Sequence, residues 1–110
     1  MLREWVLIGT ASGDKHYADP STKSRTENVV SMWLLQDYAK PIPINGRASY
    51  SSRTYEQYDC AEKTRRPLQV SFFSGQMLAG ETLLLFSQTS DKVFIAPDTI
   101  DQAMLNFACE

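Results

Sequence analysis

Hydrophobic and polar positions alternate along most of this chain with the two-residue period of a β-strand. Residues 3–10 read as a first strand, with Trp5, Leu7 and Gly9 set against Val6, Ile8 and Thr10, so that both faces are covered. Ser12-Gly13-Asp14 is turn chemistry, and residues 15–19 return as a second strand to complete a hairpin. Pro20 cannot donate to a ladder and ends that strand. Thr22–Arg25 reads as a short third strand and Glu27-Asn28 as a turn. The strongest strand signal is Val29–Tyr38, with Val30, Met32 and Leu34 on one face and Val29, Trp33 and Leu35 on the other, beside Ser31 and Asp37. Pro41 and Pro43 are expected to terminate it, and Asn45-Gly46 suits a turn that needs positive φ.

The second half continues the pattern. Residues 47–60 form a long candidate strand, polar enough to be half solvated or to lie near an interface. Tyr50, Tyr58 and Cys60 share its parity with Ser52, Thr54 and Glu56, while Tyr55 takes the opposite face. Residues 61–66 read as a charged turn, with Lys63-Thr64-Arg65-Arg66 solvated. Leu68, Val70 and Phe72 then alternate with Gln69, Ser71 and Phe73 to give a strand with an inner face. Gly75 and Gly80 bracket a loop, Thr82–Ser87 reads as a buried strand, residues 88–92 as a turn, and Val93–Ala96 as a last short strand.

Only after Pro97-Asp98-Thr99 does the period change. Ile100, Ala103, Met104, Phe107 and Ala108 follow the i, i+3, i+4, i+7, i+8 spacing of an amphipathic helix about three turns long. Thr99 and Gln102 have the spacing of a capping box. The expected fold is therefore α+β: an antiparallel sheet of about six strands packed by one C-terminal helix, in a single domain spanning residues 1–110. Neither internal repeat nor linker interrupts it.

Composition narrows the function. The hydrophobic fraction of 43% is ordinary for a folded chain. Eleven Lys and Arg against 13 Asp and Glu give no field for drawing in nucleic acid. No apolar run approaches the roughly 20 residues that span a bilayer. The chain opens on Met1-Leu2-Arg3-Glu4-Trp5 without an export leader, so an exported form would have lost it. Cys60 and Cys109 form no CxxC pair, and His16 is the single histidine, which leaves a zinc site short of ligands. Two free buried thiols remain an alternative; one structural disulfide is the preferred reading, since a small domain gains from a staple.

Candidates for chemistry are sparse. His16 is the residue to test as a base, with Asp14 and Asp19 near it in sequence, but an isolated histidine in a hairpin reads as an ordinary surface residue. Asp19, Asp37 and Asp59 lack calcium-loop spacing and read as turn caps. The scattered glycines make no phosphate-binding motif, so no cofactor and no metal is expected. Tyr17, Tyr38, Tyr50, Tyr55 and Tyr58 suit half-buried strand faces, and tyrosine is also enriched at interfaces.

Several segments taken in order resemble the bacterial surface-adhesin protein E family. They are Trp5-Val6-Leu7-Ile8-Gly9-Thr10, Tyr17-Ala18-Asp19-Pro20-Ser21-Thr22, Met32-Trp33-Leu34-Leu35-Gln36-Asp37-Tyr38, Tyr50-Ser51-Ser52, Tyr58-Asp59-Cys60, Arg66 and Ala108-Cys109. The resemblance implies an antiparallel sheet with one helix and one disulfide. It also implies an exported protein of the periplasm, outer membrane or cell surface, membrane anchoring being left open. Adhesion to host extracellular matrix or serum proteins, and pairing as a homodimer, would follow from the same resemblance. The expectation is a non-enzymatic binding domain with Cys60 joined to Cys109 and with Tyr50, Tyr55 and Tyr58 as contact residues. The alternatives are a structural envelope protein and a small periplasmic enzyme or inhibitor.

Overall fold

The computed structural model describes residues 4–87 and 89–110. The alternating stretches become strands β1 (Val6–Ala11), β2 (Asp14–Ala18), β3 (Ser24–Thr26), β4 (Val29–Ile44), β5 (Arg47–Asp59), β6 (Thr64–Phe73), β7 (Thr82–Phe86) and β8 (Val93–Phe94), followed by helix α1 (Ile100–Cys109). The ladder runs β1-β2-β4-β5-β6-β7, every pairing antiparallel, while β3 adds to β4 and β8 to β6. The Arg3 end of the expected first strand and Gln88 of the expected turn lie outside the described residues.

Three strand expectations are corrected. Pro41 and Pro43 do not end β4, which continues to Ile44. The register breaks between Asp37 and Ile42, and Pro41 sits in that irregularity. Beyond it, Ile44 pairs with Arg47 across the two-residue turn Asn45-Gly46, whose φ values of 51° and 72° are both positive. Pro43, one step further from the turn, occupies the non-hydrogen-bonded pair with Ala48, where a missing N–H costs the ladder nothing. Residues 61–66 are likewise not all turn: the bend ends at Lys63, and Thr64, Arg65 and Arg66 already pair with Asp59, Tyr58 and Gln57. The Asp59 carboxylate makes so short a turn feasible by accepting the Ala61 and Glu62 N–H groups. Finally, β7 is no buried strand, because it lies at the sheet margin with Leu85 59% and Phe86 46% exposed.

Thr99 caps α1 by accepting the Gln102 N–H, while the Gln102 side chain turns instead to Asn106, so half of the capping box forms. The buried stripe is Met104, Leu105 and Ala108, rotated slightly from the expected one, with Phe107 partly buried against the same cluster. It meets Ala18, Val30, Met32 and Tyr58 on one face of the sheet. At its start α1 approaches β1 closely enough that a Cβ on Gly9 would stand 2.7 Å from the Ile100 side chain. At its end, cations from the segment before β4 hold the carbonyls that the helix leaves unpaired: Lys23 Nζ donates to Phe107 O at 2.6 Å, and Arg25 Nη1 to Cys109 O at 3.4 Å. The disulfide joins Cys60, just past β5, to Cys109 on the last turn of α1.

Candidate binding surface

In the stretch 47–60, expected to be half solvated or near an interface, Arg47 and Ala48 are exposed but three serines are not. Ser49, Ser51 and Ser52 are buried because their hydroxyls organise neighbouring backbone and side chains. Ser49 Oγ donates to Phe73 O, and Ser51 Oγ donates to Gly75 O while accepting the Leu78 N–H. Ser52 receives the Tyr38 hydroxyl at 2.7 Å, and Asp37 accepts the Met77 N–H. The loop after β6 is thereby fixed across the sheet rather than left free.

Asp19 and Asp59 cap turns, as the sequence implied, but Asp37 lies inside β4 and binds the loop after β6 instead. Asp19 accepts from Ser21, and the other two accept backbone N–H groups. Among the described residues no group of three His, Cys, Asp or Glu is placed to hold a metal ion.

The tyrosines divide. Tyr58 is 1% exposed and sits under α1, so its assignment as a contact residue is corrected: alternation turns it toward the helix. Burial also drives its hydroxyl pKa well above the ordinary value. Tyr55 lies on the opposite face, half-buried, with its ring 5.0 Å from Trp33. The Arg53 guanidinium lies over both the Trp33 ring, at 5.4 Å, and the Phe73 ring, at 5.5 Å. Tyr50 is half-buried near the register break.

Sequence reasoning missed a row of exposed apolar groups at one sheet margin, while Leu7 on β1 (50%) and Met77 (44%) are exposed elsewhere. Leu85, Phe86, Val93 and Phe94, between 46% and 81% exposed, all belong to β7 and β8. These strands lie end to end along the outer margin of β6, Phe86 opposite Val70 and Val93 opposite Arg65, about 17 Å apart along the strand. The signal was present as the apolar run Thr82–Phe86, but such a run fits a buried strand as well as an exposed edge.

On the helix side, α1 leaves a cavity of about 300 Å³ over β5 and β6. His16, Glu56, Arg65 and Asp101 converge there. Burial lowers the His16 pKa, against the attraction of Asp14 and Asp101. Burial raises Glu56 to about 7 despite the Arg65 charge beside it, and Asp101 adds to the rise. Both cysteines are joined in the disulfide, so neither offers a free thiol.

The family model for surface-adhesin protein E matches residues 5–110. No curated protein matches the sequence. The fold is similar to solved structures of Haemophilus influenzae protein E. One has a TM-score of 0.70 at 16% identity, covering 99% of this chain and 86% of that one. A second crystal form gives 0.68 at 17% identity, covering 99% and 96%. Protein E from non-typeable H. influenzae gives 0.66 at 15%, covering 99% and 78%.

Proposed function

The chain belongs to the surface-adhesin protein E family, and on that premise we propose that it is an exported, non-enzymatic binding domain of the bacterial envelope or surface. Its partner is a protein, taken from host extracellular matrix or serum, and the contact surface is the outer margin of the sheet. The observation that carries this is the row of exposed Leu85, Phe86, Val93 and Phe94 along one margin of the sheet, on β7 and β8. Apolar side chains gathered on a surface mark an interaction site, whereas scattered ones do not. Among the described residues no strand pairs with the outer side of β7, which leaves that edge open to an incoming strand. The same edge supports pairing of two copies, since an antiparallel edge can meet itself across a two-fold axis. Tyr55, with Trp33 and Arg53, supplies a second contact zone on the face away from α1, and Tyr50 lies near its end. Among the described residues no helix is long and apolar enough to cross a membrane.

The test is the double variant Leu85→Ser, Phe94→Ser, presented with wild type to immobilised matrix and serum proteins and to envelope extract. Stability should change by less than about 1 kcal/mol, as expected for exposed sites, while binding falls at least tenfold. Wild-type protein that binds only envelope components would favour the structural role, and a variant that binds like wild type would remove this margin from the interface. Sedimentation at micromolar concentration reads self-association separately.

A further inference from the structure

We infer that the cavity between α1 and strands β5 and β6 is a binding site for a small molecule carrying a primary ammonium group on a short aliphatic stem. It lies on the other side of the sheet from the Trp33–Tyr55 zone and does not depend on the adhesive reading.

The first argument is charge. Among the described residues Arg65 is the single permanent cation lining the cavity, and it serves two carboxylates: Nη1 stands 3.4 Å from Glu56 Oε1 and Nε 3.3 Å from Asp101 Oδ2. Once Glu56 ionises, two carboxylates share one guanidinium and the cluster is one positive charge short. His16 does not supply it at neutral pH, since burial favours its neutral form. An anionic ligand is disfavoured because the guanidinium is already engaged on two sides.

The second argument is an unmet acceptor. Glu56 is 5% exposed and lines the cavity, and its Oε2 has no hydrogen-bond partner; a rotation of the carboxyl would turn this closed-off oxygen to the cavity. A buried carboxylate oxygen left bare is costly, and a charged donor meets the need better than a neutral one. The third is the shape of the remaining wall. Leu34, Val70 and Met104 make it apolar, and a volume of about 300 Å³ is at the small end of ligand pockets. An alkyl stem would rest on these side chains with its ammonium between Glu56 and Asp101.

Binding is then linked to protons. The groups that face Glu56 are His16 from β2, Tyr58 from β5 itself, Arg65 from β6 and Asp101 from α1; β4 contributes only neutral side chains to the cavity. Glu56 must ionise to hold the ammonium, and protonated His16 would compete with it at acid pH.

The experiment titrates the intact, disulfide-bonded protein with n-butylammonium while following the methyl signals of Leu34, Val70 and Met104 by NMR. n-Butanol and n-butyrate serve as neutral and anionic controls. Saturable shifts should occur at millimolar n-butylammonium, with affinity about tenfold tighter at pH 8 than at pH 6 as Glu56 loses its proton. Glu56→Gln should weaken binding at least tenfold. Asp101→Asn, at a half-exposed helix position where folding is not at stake, should weaken it several-fold. Equal shifts with n-butanol or n-butyrate, no saturation at either pH, or Asp101→Asn binding as well as wild type would overturn the assignment.

Discussion

Replacing Glu56 by Gln should make the protein less sensitive to alkali. In the folded chain the Glu56 carboxyl is 5% exposed, and burial, only partly offset by Arg65, raises its pKa to about 7 from an ordinary 4.5. A carboxyl whose folded pKa is raised binds its proton more tightly folded than unfolded. Its contribution to stability is fully present below the unfolded pKa and is lost as pH rises through the folded one. A shift of about 2.5 units corresponds to roughly 3 kcal/mol in all, of which about 2.5 kcal/mol is lost between pH 5 and pH 8. Gln keeps the shape of the protonated acid and cannot ionise. Urea unfolding of both proteins at pH 5 and pH 8 measures the difference, and comparing the two cancels every other titrating group to first order. Wild type should lose about 2.5 kcal/mol more than Glu56→Gln over this range, equivalent to a Tm difference on the order of 10 °C. Parallel pH profiles would show that Glu56 ionises freely in the folded protein and that its burial is misjudged.

Met104→Ala should cost about 2–5 kcal/mol by denaturant unfolding, because Met104 is 3% exposed where α1 meets the sheet; a loss below 1 kcal/mol would mean that the helix is not seated there. Replacing both cysteines with Ala should cost about 4 kcal/mol, the restraint that a link across 49 positions places on the unfolded chain. The intact oxidised protein should also weigh two hydrogens less than its reduced form, and free thiols in oxidised material would contradict the pairing.

The elements of this fold were legible where local chemistry decides them. Asn45-Gly46, the Thr99 cap and the helical period after it each act within a few residues, and each is where the sequence places it. Errors arose where the decision is made across strands. A proline ends a strand only if its nitrogen points at a partner, and that depends on the register of Pro43 against Ala48. Ser49 and Ser51 look solvated until the loop after β6 is seen to occupy their hydroxyls. The same gap separates Tyr55 from Tyr58: alternation puts them on opposite faces, but only the position of α1 tells which face is closed. The exposed margin was hidden for a related reason, since the run Thr82–Phe86 reads the same whether its strand lies inside the sheet or, as here, at its edge. Likewise Glu56, Arg65 and Asp101 come from three elements and share no motif.

The bond between Cys60 and Cys109 also sets how the domain carries mechanical load. Tension applied at Glu110 passes from Cys109 directly to Cys60 and enters the sheet at the end of β5, a strand held on both sides by long ladders. The 48 residues between the two cysteines, including β6, β7, β8 and nearly all of α1, lie on a covalent side loop outside the line of force. A pull on the helix end therefore cannot peel the helix away or draw out the exposed margin, which keeps its shape under strain.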